Sequence, residues 1–259
     1  MIDQIIHSRI YIFLAFLTIL ITFEFIFSWR KREISRKDRW WGNFSLVIID
    51  SVLVKLLFPI GASGFAIWLQ KNDYGTGLKL NIVLTIIIFD LLIYFQHVMS
   101  HKFKWFWTFH VVHHSDPDLD VSSALRFHPI EIIISMFYKF LLIFILGPDP
   151  SGIIIFEIIL NSMAMFNHSN LLIPKKIEKF LRYFIVTPQM HLIHHSRNRS
   201  ESDTNYGFNI SLWDRIFSTY LDKFTSKQSI GQNYLNKIDD QKLKNLLIQP
   251  YLYYKKKYE

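Results

Sequence analysis

Apolar residues run along this chain in long blocks that come close to the roughly 20 residues a helix needs to cross a bilayer. Five such stretches stand out, at residues 10–28, 44–69, 78–99, 130–146 and 153–173, and each carries one or two ionisable or strongly polar residues. Between the last two lies Gly147-Pro148-Asp149-Pro150-Ser151-Gly152. Its prolines and glycines cannot continue a helix, so the pair reads as a tight helical hairpin, either spanning fully or entering part way. The pattern predicts an all-α integral membrane protein.

Composition strengthens that picture. Of the 259 residues, 51% are apolar and 17% aromatic, 24 of them Phe, which is too greasy for a disordered chain. There is no Cys. That excludes disulfides, thiolate zinc sites, cysteine-held iron–sulfur clusters and a Cys nucleophile. The net charge of +8 could signal nucleic acid, but the basic residues sit beside apolar runs, which favours an anionic membrane surface and argues for no nucleic-acid partner.

Lys and Arg also set an orientation. Residues 30–39 (RKREISRKDR) hold six of them, against Lys71 alone in 70–77 and none in the Pro148 turn. By the positive-inside rule the first connection is cytoplasmic and the other two lie on the far side. The first apolar run lacks an Ala-x-Ala type site and precedes the basic cluster, so it reads as an uncleaved anchor with its amino terminus outside. On this topology ten of the eleven histidines fall at cytoplasmic helix ends, and only His7 lies opposite.

Those histidines carry the chemistry. His97 and His101 stand four apart, His110, His113 and His114 form HVVHH, and His191, His194 and His195 form HLIHH. Spacings of three and four share a helix face, so each cluster is expected to aim its imidazoles at one point. His128 and His168 are predicted at the same depth. One histidine near a helix end is usually a cap or an interfacial ring. So many together would repel on protonation unless a cation binds them, and they exceed the needs of one ion, so two metals are expected.

Other motifs fail. No H-E-x-x-H is present, and the Asp116-Asp118-Asp120 series lacks the turn glycine and closing Glu of an EF-hand, leaving a turn or helix cap. No glycine-rich nucleotide cradle occurs. Paired haem ligation would need isolated histidines deep in two spans.

In order, HVMSH (97–101), FHVVHHSDPDLDVSSALRFHPIE (109–131), NH (167–168), HLIHHSRN (191–198) and DTNYGFNISLWDRIFSTY (203–220) resemble the fatty acid hydroxylase superfamily, including bacterial sterol desaturase family proteins. The resemblance divides the chain into N-terminal membrane helices (1–88), a catalytic domain with the hairpin (89–222) and a polar tail (223–259), solvated or at the membrane surface. It implies a multi-pass inner-membrane, non-haem di-iron oxygenase that hydroxylates or desaturates a lipid such as a sterol or fatty acyl lipid, using O2. His97, His101, His110, His113, His114, His191, His194 and His195 would ligate iron, with His128 and His168 as additions. With no cytochrome domain in view, electrons would come from a ferredoxin or a b-type cytochrome with its reductase. Unactivated C–H cleavage needs redox-active metal, which zinc is not. A metal-cation transporter and a non-catalytic zinc protein are the competing classes.

Several other residues have two readings. Asp90, on the stripe with Tyr94, His97 and His101, is expected to orient a ligand or else to pair with Lys55 or Lys139. Asp203 has an orienting prospect or caps a loop. Glu131 could orient His128 or favour a helix start. Trp105, Phe106 and Trp107 read first as an interfacial belt. Lys175, Lys176, Lys179 and Arg182 form a basic patch for lipid headgroups or an acidic electron donor. Trp213, Asp214 and Arg215 could close the cytoplasmic domain through a packed indole and an ion pair.

Overall fold

Helix boundaries follow the local chemistry of the chain. Ser35 caps α2 (Arg36–Leu57), and Asn81 caps α4 (Ile82–Lys102) by accepting from the Leu84 amide at 2.9 Å. Here α1 is Ile2–Ile26 and α3 is Gly61–Lys71. The run 44–69 is therefore two helices rather than one. Pro59 drives the residue before it out of the helical region, and Phe58 adopts φ −130° and ψ 62°. The computed structural model describes residues 2–76 and 78–258, and the side chain of His7 lies outside what is described.

After α4 come α5 (Lys104–His114), a 3-10 turn at Val121–Leu125, then α6 (Pro129–Leu146) and α7 (Pro150–His168). The last two form the expected hairpin. Gly147 ends α6 at φ 52°, and a Cβ there would collide with the Leu78 carbonyl, so this turn requires glycine. Asp149 caps α7 through the amides of Ser151 and Gly152, with Pro150 at the first helical position. Short helices α8 (Lys175–Leu181), α9 (Pro188–His194), α10 (Arg199–Ser202) and α11 (Leu212–Ile216) follow, and α12 (Leu243–Tyr258) ends the chain. Among the described residues there are no strands, only isolated bridges.

Five segments are long and apolar enough to cross a membrane: Ser8–Ile26, Arg36–Lys71, Ile82–Lys102, Pro129–Leu146 and Pro150–His168. The protein is a multi-pass membrane protein. Helix α7 is its centre, packed on α1, α3, α4, α9 and the 3-10 turn. One core joins Ala62, Ala66, Phe89, Ile93, Ile143, Ile153 and Phe156, while Leu14, Val52, Val83, Phe137 and Leu141 face outward, as lipid contact requires. Leu80 bonds with Gly147 and Asp149, so the connections after α3 and α6 share one end. The basic segment 30–39 lies at the other end, where the Glu33 and Ile34 amides donate to Asp118.

The C-terminal segment is not a solvated tail. Leu235, Leu246 and Tyr253 are buried, and α12 packs against α2 and α5. Gln241 accepts from Arg126 at 2.6 Å, and Gln249 accepts from Ser115 at 2.7 Å. The segment's sparse apolar residues fall at the few positions that touch the domain, so average polarity hid the docking face. Trp105 is exposed as a belt residue would be, whereas Trp107 is buried beside His101 and covered by the Arg199 guanidinium at 4.0 Å. On α8, Ile177 and Phe180 are exposed alongside the lysines, an amphipathic pattern suited to the bilayer surface. Arg182 leaves that patch to pair with Glu178 at 2.6 Å.

Candidate metal centre

Nine histidines gather into two buried groups at the end of the helices opposite the Pro148 turn. His97, His101, His110, His114 and His194 form one group, and His113, His168, His191 and His195 the other; within each, the nitrogens lie within 4.8 Å of one another. The partition corrects the expectation that each cluster converges on one point. Residues four apart stay together, as in His97/His101, His110/His114 and His191/His195, while the neighbours His113/His114 and His194/His195 diverge. Adjacent helical positions point about 100° apart, so each HxxHH cluster serves both groups.

Six rings are turned the same way by oxygen acceptors on Nδ1. His97 donates to the Tyr206 carbonyl (2.7 Å), His113 to Arg126 (3.3 Å), His168 to Ala164 (2.7 Å) and His194 to Thr204 (2.8 Å). His101 faces Asp203 at 3.3 Å, and His110 faces Glu131 at 2.6 Å. A proton held on Nδ1 leaves Nε2 with its lone pair, the form that ligates metal. Burial, then neighbouring imidazoles, push His113, His114, His191 and His195 well below the usual histidine range. Burial likewise takes His194 to about 3. These five rings are thus neutral.

These residues fit metal ions. Nε2 of His97, His110 and His194 is buried with no hydrogen-bond partner. Elsewhere Nε2 atoms face each other at 3.1 Å (His101 and His114), 3.0 Å (His113 and His168), 3.0 Å (His168 and His191) and 3.2 Å (His191 and His195). At His113 and His168, where carbonyls hold both Nδ1 protons, two lone pairs that close repel unless a cation lies between them. Neighbouring ligands each about 2.1 Å from one ion stand about 3.0 Å apart at a right angle.

His128 does not join either group. It caps α6, its Nδ1 accepting from the Ile130 amide at 3.2 Å and its Nε2 donating to the Leu247 carbonyl at 3.1 Å, so both nitrogens are engaged. Pro129 at the first helical position fixes it in the cap. Asp90 does not orient His97 and pairs with neither Lys55 nor Lys139. It accepts from the Trp213 indole at 2.7 Å and the Ile210 amide at 3.3 Å, because the 209–215 segment inserts beside that turn of α4. Asp203 does reach a histidine, and also holds Lys102 and Arg199. Glu131 supports His110 rather than His128. The indole of Trp213 is therefore packed as expected, but Asp214 forms no ion pair with Arg215; it accepts from the Tyr206 and Gly207 amides.

Sequence reasoning missed the buried scaffold beneath the site. Arg39, counted there only among the six basic residues of the cytoplasmic connection, is fully buried and grips Asp116 through two bonds of 2.6 and 2.7 Å and Asp120 at 2.9 Å. Against the cost of burial, Arg39 and Arg126 hold the Asp116 carboxyl well below the usual carboxylate range. Asp120 caps the 3-10 turn, and Arg126 binds the Val112 carbonyl at 2.8 Å. The loop after HVVHH is thus clamped from below. The Asp-rich spacing around Pro117 was the available signal, since three acids in a buried turn need a cation partner.

With fold and geometry in hand, the chain belongs to the fatty acid hydroxylase family, whose pattern it matches over residues 82–219. Among curated relatives, it is 27% identical over 139 residues to ornithine lipid hydroxylase of Rhizobium tropici, covering 54% of this chain and 41% of that one. It is 34% identical over 132 residues to alkylglycerol monooxygenase of Homo sapiens, covering 49% and 27%. Human cholesterol 25-hydroxylase is 21% identical over 140 residues, covering 54% and 50%. The chain thus spans half or less of the length of these relatives. No solved structure matches it.

Proposed function

We propose that this protein is a membrane-bound lipid hydroxylase or desaturase that holds two iron ions in the two histidine groups and uses O2. One observation carries the reading: nine buried imidazoles, several with orphaned nitrogens, form two groups, and two of these rings border a cavity of about 150 Å³ between α4, α6 and α7. His97 and His110 line it together with Ile93, Phe127, Leu160 and Phe208, a wall suited to an apolar chain. The relatives named above act on lipids, which supports the same substrate class. Transport would need ligands spread through the midplane, and here they gather at one end.

One group of iron ligands would be His97, His101, His110, His114 and His194, and the other His113, His168, His191 and His195. The bound iron pair supplies the redox chemistry that activates O2 for C–H cleavage. The protein's own part is orientation and exclusion. Asp203 and Glu131 fix the rings of His101 and His110, and backbone carbonyls fix four more. The C-terminal cap covers the polar face, so residues 89–222 act as the oxygenase unit with 223–259 closed over it. Electrons come from a separate redox partner, a ferredoxin or b-type cytochrome system, docking on the polar face.

We place that face in the cytoplasm of an inner membrane, because the six Lys and Arg of residues 30–39 lie at the same end as the histidines. A reporter fused after Ile34 is expected to read cytoplasm, and an external signal there would overturn the orientation. The activity is tested by mass spectrometry of lipid extracts from cells with and without the gene, grown under labelled dioxygen. The expected result is a lipid that gains one labelled oxygen atom, or loses two hydrogens, only when the gene is present. Unchanged lipids, or oxygen derived from water, would refute the reading.

A further inference from the structure

The substrate cavity has a second, charged end that the oxidation chemistry does not use. Glu131, Ser135 and Lys139 lie four apart on α6, so they form one stripe running from His110 into the span. Lys139 sits where bilayer replaces water, with its side chain 16% exposed. Its one ionic contact among the described residues is Glu157 on α7 at 3.8 Å, beyond hydrogen-bonding range. Glu157 is already taken by Arg9 at 2.6 Å. Two cations thus share one carboxylate inside a membrane span, leaving one positive charge and, among the described residues, an ammonium with no acceptor within hydrogen-bonding range.

An intramembrane cation in that state is costly unless an anion completes it. The cavity wall that carries Lys139 also offers Asn161 and Gln96, while Glu131 places negative charge at the histidine end. The two ends therefore impose a direction on any acid entering between them. The eight-residue rise from Glu131 to Lys139 is about 12 Å.

We infer that Lys139 is a specificity-determining residue that binds the carboxylate of an acidic lipid, with its apolar chain extending toward His97 and His110. This rests on the lipid-oxygenase reading for its purpose, but not for its test. The acid neutralises the surplus charge of Arg9, Lys139 and Glu157, and the carbon presented to the imidazoles lies on the order of ten ångströms along the chain from it.

The test is binding of palmitate and of methyl palmitate to the iron-loaded full chain in lipid nanodiscs, kept anaerobic and without reductant. Palmitate is expected to bind at least about tenfold more tightly than its ester, the scale of a charge-assisted hydrogen bond. Lys139→Met should bring palmitate down to the level of the ester and leave the ester unchanged. Glu157→Gln should tighten palmitate by removing the competing carboxylate, whereas a purely structural ion pair would give weaker binding. Equal binding of the two probes, a preference that survives Lys139→Met, or weaker or unchanged palmitate binding in Glu157→Gln would each overturn the assignment. Binding is read without turnover, so a chain that prefers the acid yet oxidises no lipid would refute the oxygenase reading and leave this one standing.

Discussion

Replacing Arg39 by Met is expected to destabilise the protein more than any other single change outside the histidines, by about 3–5 kcal/mol. The guanidinium is fully buried and satisfies Asp116 and Asp120 through three charged bonds, with Ser123 at 3.2 Å. Removing it strands two carboxylates where water cannot reach them. The effect spreads, because Asp116 follows His113 and His114 by two or three residues and Asp120 caps the turn on which α7 packs. Unfolding measured in detergent should show the loss, with Arg39→Lys recovering only part of it, since one ammonium cannot span both acids in a planar fork. A variant as stable as the parent would mean that the clamp is not what holds the loop.

The second large effect concerns the metal itself. His194→Ala removes an imidazole whose Nε2 has no partner among the described residues and whose Nδ1 is oriented by the Thr204 carbonyl. The variant should lose metal from the five-histidine group and fall to background turnover. His128→Ala is the contrasting case. It should keep its metal and lose about 1 kcal/mol of stability, because it removes a helix cap and a bond to Leu247. Loss of metal in His128→Ala would show that the cap position is not the resting place of that ring.

The contrast between these residues shows what the chain makes legible. Nine of the ten candidate ligands meet, because helical spacing is local and four-residue steps keep rings together. The same rule, applied within HVVHH and HLIHH, would also have separated His113 from His114 and His194 from His195. The hairpin was equally readable, since Gly147 and Pro150 act through their own backbones. What stayed hidden depends on partners far along the chain. Arg39 meets Asp116 across 77 residues, and Asp90 meets Trp213 across 123. His110 finds Glu131 only because α6 returns beside α5. The break after Phe58 was written in Pro59, but an unbroken apolar run outweighed it in the reading.

The competing classes separate on metal identity and number. A zinc protein would keep its histidines filled and never consume oxygen. A transporter would hold its cation loosely and release it across the bilayer. Two histidine groups joined by a stacked pair, His114 and His195, with ring centres 4.3 Å apart, instead suit two ions held close together.

The most direct measurement is therefore metal content of the purified full chain after anaerobic reconstitution with ferrous iron, followed by oxygen uptake with a chemical reductant. The account requires two irons per chain, with the content of His194→Ala and His191→Ala reduced and that of His128→Ala unchanged, and uptake that depends on iron. One iron per chain, or equal uptake with zinc in its place, would contradict it.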